Sequence, residues 1–598
     1  YVNVMPDLKV RDTVTRMQRD PDKTEIDRAV GSEVAIRDGA KALILPTIAE
    51  IGGRVRITAE VIDPQTQTTV YSETADGIGK ESILPSLDTI NSRLRVRLGE
   101  ALATVSKESR PLEKVATDNL DALKAYSLGN HNYVRGQFKE AMALYQQALA
   151  IDTTFSSASL RVATIHASSG RSDAADAALQ QALSRRERLS PRDVLYAEVL
   201  LSTLRAQPDV ATKWSALAET YPDYFAGTAG CAYFNWRYAN HFDKKTLSLA
   251  EAAASMKNPS RQASLHLLGI LLAGEERAEE ALRTFAEAES EGFVRTEYHA
   301  ATLASQRKFD QAAATLARSP DATASENAVV RSTRGALESA FLVDRGLLAE
   351  AMRHLSASAM DVPAGNALSG LFEAMELSIG GDLGDTSDAQ RLILLRKAMA
   401  RALSLKQVAA TAAAESLDAQ ILLLAYLRAN QGDVEGARAG LAGLADQNFP
   451  EYSANYKLRA IARAEIARAN GQPDRAIEQL NKLLDGSELY LTHVALLNAH
   501  SAAGQARMAL DEARWLTAHR GRAYAEYSPG NLLTTFNIKQ ANLALLRAAE
   551  LSRTLGNRKE AGEMLGAFRN AWPDVKPFPA LARRMTEIQS DLGPEDSP

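Results

Sequence analysis

Between residues 54 and 61 polar and apolar side chains alternate strictly. Arg54, Arg56, Thr58 and Glu60 fall on one side, and Val55, Ile57, Ala59 and Val61 on the other. Successive strand side chains point to opposite faces, so this pattern predicts a half-buried antiparallel strand with one wet face. The apolar stretch from Ala42 to Ile51 precedes it, and Gly52-Gly53 between them is a two-residue turn that tolerates positive φ. Asp63-Pro64 supplies the next turn, and Thr68 to Thr74 a third strand. A helix from Ile26 to Arg37, capped by Thr24 and stopped at Gly39, precedes the meander. Another starts at Ser86 and carries Leu87, Ile90, Leu94, Leu98, Leu102 and Val105 as one stripe. Together these predict a small α/β domain over residues 1–110, closed by Pro111, with a polar linker over 106–117. The opening Tyr1-Val2-Asn3-Val4 alternates like the tail of a strand already under way, which sets the expectation of a longer protein.

Beyond the linker the periodicity changes. Gly129, Gly136, Ala141, Tyr145 and Ala148 are followed 34 residues on by Ala163, Gly170, Ala175, Leu179 and Ala182. Small residues that admit a neighbouring helix, with one large residue plugging the gap, form the tetratricopeptide pattern. It returns at Gly269, Ala281, Phe285 and Ala288, and at Gly471, Ala476 and Leu480. Looser copies centre on Ala312, Ala351 and Ala437, and Ala509 after Gly504 and Ala561 after Gly556 complete the set. Asp152 and Thr153 stand where the repeat's usual proline would close it. The fold class expected is mostly α, a tetratricopeptide-like α-solenoid behind a small N-terminal domain with a three-stranded antiparallel meander. Repeats are expected over 117–318, irregular helical repeats over 319–420 with a loop at Gly380–Asp385, and repeats again over 421–590. An insertion over 519–537 interrupts them, and a disordered tail is expected over 591–598. Such arrays touch only sequence neighbours and leave a groove lined by the first helix of each pair.

Composition narrows the chemistry. Against 69 basic residues stand 74 acidic ones, a net charge of -5, without the basic surplus that a nucleic-acid binder needs. No apolar run approaches the 18 residues of a membrane span, so any membrane link is expected upstream of Tyr1. One cysteine, Cys231, excludes internal disulfides, and its aromatic-rich surroundings favour packing over catalysis. The nine histidines form no H-E-x-x-H motif, and Asp382, Asp385 and Asp388 lack calcium-loop spacing. Gly77-Ile78-Gly79-Lys80-Glu81-Ser82 fails as a phosphate loop, because Thr74 stands where its first glycine belongs and Glu81 follows the lysine. No catalytic, cofactor or metal residue is therefore assigned. A hidden enzymatic site near the 519–537 insertion is the remaining enzymatic reading, since long loops inside arrays are often functional.

Binding surfaces are the better lead. Tyr126, Asn130 and Tyr133 fall on the groove face of the first repeat, with Asn130 in the slot where peptide-binding arrays grip ligand backbone. Tyr126 occupies a slot that carboxylate-binding arrays fill with lysine, which argues against carboxylate capture. The structural alternative is that these three merely contact the next repeat. His266, Tyr524 and Tyr527 are further candidates for contact with a protein or peptide partner.

Residues 28–37, Ala42–Pro46, Ala49–Val55, Thr68–Tyr71 and Leu120–Tyr126 resemble one bacterial arrangement. It is similar to the carboxy-terminal part of the peptide modification system cyclase family of proteobacteria. The resemblance implies a cyclase-like module before Tyr1 and a periplasmic sensor or docking role at the inner membrane. A cytoplasmic assembly scaffold is the alternative.

Overall fold

The structure is a computed structural model that describes residues 5, 7–21, 23–98, 116–222, 224–255, 258, 260–318, 328–360, 367–380, 388–409 and 411–592. Packing divides the chain into two units, Tyr1–Arg205 with Ser255–Arg261, and Ala206–Ala254 with Gln262–Pro598. The division falls inside the stretch 117–318 that the repeat pattern groups together.

In the first unit β1 (Leu43–Ile51), β2 (Arg54–Ile62) and β3 (Thr69–Ile78) form an antiparallel meander in that order. Val55, Ile57 and Ala59 of β2 are each 4% exposed and pack against Ile90 of helix Ile83–Arg97. Alternation in the sequence thus becomes one buried face. Three local details differ from expectation. Asp27, not Thr24, caps the first of these helices, accepting the N–H of Val30 at 2.8 Å, so that helix is Arg28–Arg37. β3 continues past Thr74 because Ile78 pairs with Arg54. Ser86 is buried within its helix, which already begins at Ile83. Leu102, Val105, Pro111 and most of the expected linker lie outside the described residues.

Helices Leu120–Val134, Phe138–Ile151, Ser156–Ser168 and Ser172–Ser184 follow as two hairpins. Ala141, Tyr145 and Ala148 of the first are fully buried, as are Ala175, Leu179 and Ala182 of the second. The small residue opposite the large one is a steric requirement. A Cβ on Gly129 would lie 2.7 Å from the Tyr145 ring, and one on Gly269 equally close to Phe285.

The second unit continues the pairing. Its hairpins begin with Phe225–Arg237, Arg261–Gly274, Glu297–Ser305, Ala328–Asp344, Ala367–Ile379, Thr411–Asn430, Ala454–Ala469 and Tyr490–Ala502. Over the expected irregular region the helices lengthen, to 21 residues in Asp388–Val408 and 20 in Thr411–Asn430. Helix Pro579–Leu592 extends into the expected tail, with Leu592 buried and Arg558 donating to the carbonyl of Asp591. The rest of the tail, the loop from Gly381 to Asp385 and the Asp388 side chain lie outside the described residues.

Neighbour-only stacking does not hold in this unit. The 519–537 insertion is not an exposed loop. It comprises helix Arg520–Ala525, a tight turn at Pro529–Asn531 and the start of helix Thr534–Thr554. Nearly all of it is buried, and Leu532, Leu533, Phe536 and Ile538 join the same apolar core as Leu371 and Tyr426. The first helices of the hairpins converge on it. Hydrophobic burial explains why it turns inward: an exposed Leu-Leu-x-x-Phe-x-Ile run would forfeit about 1.5–3 kcal/mol per side chain.

Candidate functional site

In the first unit Tyr126, Asn130 and Tyr133 lie along one face of helix Leu120–Val134, all partly open. Tyr126 leans on Phe155 and Tyr145, with ring centroids 4.8 and 5.7 Å away, and so supports the hairpin core. The Tyr145 hydroxyl donates to Asn130 Oδ1 at 2.8 Å, which orients the amide and leaves its Nδ2 for other partners. Tyr133 meets Phe138 edge-on, and the guanidinium of Arg161 sits 5.5 Å from its ring centre.

In the second unit charged groups hold the insertion. Asp344, fully buried, accepts from Arg520 at 2.7 Å, Tyr524 at 2.9 Å and Asn542 at 3.0 Å. Glu276 accepts the amide N–H groups of Gly521 and Arg522, both at 2.9 Å, while burial pushes its carboxyl up to about 7. Glu526 accepts from the Tyr490 amide at 2.8 Å and from Asn537 at 3.1 Å. Lys457 donates to the carbonyls of Ala239 and Ser487, at 2.8 and 2.7 Å, and burial lowers its pKa to about 8. The Trp515 ring is sandwiched between His493 at 3.5 Å and His519 at 4.1 Å. Burial opposes charge on His493, but Glu488 and Glu512 together raise its pKa. Each of these charged groups finds at least one partner within the fold. Tyr524, 2% exposed, has no surface to offer a partner.

Tyr527 is different. Partly buried, it lies among side chains that come from separate hairpins. Tyr233 (44% exposed), Arg237 and Tyr238 lie on or beside helix Phe225–Arg237, Tyr298 on Glu297–Ser305, and Glu415 on Thr411–Asn430. The Arg237 guanidinium stacks on the Tyr527 ring at 3.3 Å, and Trp236 anchors the segment by donating to the carbonyl of Ala525 at 3.0 Å. Burial would lower the pKa of Arg237; Tyr233, Tyr238, Glu415 and Tyr298 act on it in that order and hold it above its ordinary value. Burial raises the carboxyl of Glu415, with Arg237 opposing, although the side chain remains exposed to solvent. His266 lies behind Tyr298 among Phe285 and Phe293, and burial pushes its imidazole down to about 3.

Of the sequence candidates, the structure brings together Tyr126, Asn130 and Tyr133 on one face, and links Tyr527 to His266 only through the rings of Trp236 and Tyr298. Sequence reasoning missed Arg237, Tyr233, Tyr298 and Glu415. The dense Cys231–Tyr238 run was a signal, read only as packing around the cysteine. Cys231 is buried, and desolvation pushes its thiol up to about 11. Among the described residues no three His, Cys, Asp or Glu side chains are grouped to hold a metal, and no helix is long and apolar enough to cross a membrane.

With this geometry in view, the comparisons with known proteins are specific to the repeats. The tetratricopeptide repeat family matches residues 135–189. Tetratricopeptide-type hairpins are present. No curated protein matches the sequence. Among solved structures, the crystal structure of the APC/C hetero-tetramer Cut9-Hcn1 is similar at 11% identity and a TM-score of 0.38, covering 79% of this chain and 78% of that one.

Proposed function

We propose that this chain is a non-catalytic scaffold that holds a protein or peptide partner, acting as the periplasmic sensor or docking region of an inner-membrane, cyclase-like signalling protein. The observation that carries the binding role is the helical-hairpin array itself. Its repeats present ordered helix faces, and partly open polar and aromatic side chains sit on them. On the first unit Asn130 and Tyr133 are the contact residues: Tyr145 engages the Asn130 acceptor and leaves its donor for a partner. Tyr126 has a supporting role in the same face. No cofactor enters this reading. Its location rests on the resemblance of residues 28–37 and the meander to the cyclase family, and its sensing role on binding that biases two arrangements of the array.

The binding role is tested by affinity capture with the purified chain, with partners identified by mass spectrometry and confirmed by direct titration. A defined partner lost on N130A/Y133A supports the reading, and unchanged affinity in that variant removes the first-unit face from it. Location is tested with an epitope tag in the protein expressed in cells. Labelling from the periplasm is expected, and labelling only from the cytosol would contradict the placement.

A further inference from the structure

We propose that the groove between helices Phe138–Ile151 and Ser156–Ser168 is a docking site for an acidic polypeptide segment that carries an apolar anchor side chain. The inference rests on the scaffold reading and names the partner chemistry of a second site on the first unit.

The groove has a volume of about 480 Å³, within the range of clefts that hold ligands. Phe138, Met142 and Gln146 line one side, a helical turn apart, and Ile165 and Ser169 come from the end of the next helix. Ile165 is buried, but Phe138 remains 45% exposed and Met142 only half-buried, so apolar surface is left open to solvent. A flexible thioether beside an aromatic ring adapts to an incoming aliphatic or aromatic side chain. Tyr126, Asn130 and Tyr133 belong to helix Leu120–Val134 and do not line this groove.

Charge selects the occupant. Lys139 and Arg171 also line the groove, and each stands at the start of a helix: Lys139 in the first turn of Phe138–Ile151, Arg171 just before Ser172–Ser184. A helix start already carries positive partial charge, and neither of these is capped by a side chain, so the cations add to the dipoles instead of offsetting them. Among the described residues neither side chain forms an ion pair or a hydrogen bond, whereas Arg188 and Arg205 are held by Asp152 at 3.2 Å and Asp176 at 2.7 Å. Glu140 and Asp173 occupy the same first turns, but neither lines the groove or pairs with either cation. An open apolar wall between two such cations complements an acidic segment and repels a basic one.

The test uses the full chain, fluorescently labelled, on an array of blocked random dodecapeptides at low salt. Wild type is expected to retain peptides enriched in Asp or Glu close to a Leu, Met, Phe or Trp. K139Q/R171Q should weaken retention of these peptides about tenfold, as expected for two exposed charge contacts, and K139E/R171E should turn the selection towards Lys and Arg. A143W fills the groove without changing its charge and should weaken the same peptides at least as much. Lys139, Ala143 and Arg171 are all exposed, so these variants keep the fold, which their thermal melts check. If K139E/R171E selects the same acidic peptides as wild type, or A143W retains them undiminished, the assignment is overturned and the scaffold reading survives. If wild type retains no acidic peptide, the assignment is overturned as well, while capture of a folded partner through Asn130 and Tyr133 would keep the scaffold reading.

Discussion

Arg520 donates to Asp344 at 2.7 Å, although 176 residues separate them. That bond fastens the inserted segment to the end of helix Ala328–Asp344, and Tyr524 and Asn542 complete the ring of donors around the same carboxylate. A repeat array that stacked only on its neighbours would have no use for such a contact.

Asp344→Ala should therefore loosen the second unit. It leaves Arg520 buried without its partner, a loss of about 3–5 kcal/mol. Urea unfolding checks the magnitude, and limited proteolysis should show new cleavage between residues 519 and 537.

Gly521→Ala acts at the same place by sterics alone. Its Cβ would lie 2.0 Å from the carbonyl oxygen of Ala273, a backbone atom with little room to move. We expect destabilisation of at least about 1–3 kcal/mol, the range for overpacking. Gly39→Ala is an informative contrast: it meets nothing within 4 Å and should show only the strain of its positive φ of 71°. Thermal melts compare the two.

Stability should also carry a histidine signature. His493 is held charged by Glu512 at 2.7 Å and Glu488 at 3.8 Å, so its folded pKa lies above the ordinary value of 6.5. A base with a raised pKa stabilises the fold fully below 6.5 and loses that contribution as pH climbs through the folded value. The advantage of wild type over H493Q in urea unfolding should accordingly be largest on the acid side and shrink above pH 6.5. A gap that widened with pH would contradict the pairing.

Tyr145→Phe separates packing from orientation in the first repeat. The ring stays, and only the hydroxyl bond to Asn130 is lost, for about 1 kcal/mol. Partner affinity through Asn130 should fall along with it, since the amide is then free to rotate.

These contacts also show which parts of the fold were legible in sequence. Ala141, Tyr145 and Ala148 were readable because each repeat solves the same packing problem with the same small and large residues at the same spacing. The β2 alternation was readable because one face meets helix Ile83–Arg97 and the other meets water. The insertion was not, since its partners are fixed by tertiary closure: Trp236 reaches the Ala525 carbonyl across 289 positions. For the same reason Tyr524 looked like a contact residue and is core, while Arg237, which drew no reading of its own, meets Tyr527 of the insertion. The side chains are the same kinds in both cases; only the long-range packing distinguishes them.

The most direct test of this account is hydrogen–deuterium exchange on the intact chain, read in peptides covering residues 519–537. Exchange as slow as in helices Tyr490–Ala502 and Thr534–Thr554 is the predicted result, because the segment is the core that the hairpins close around. Exchange within seconds, as in a solvated loop, would contradict it and would return the inner face of the second unit to open groove.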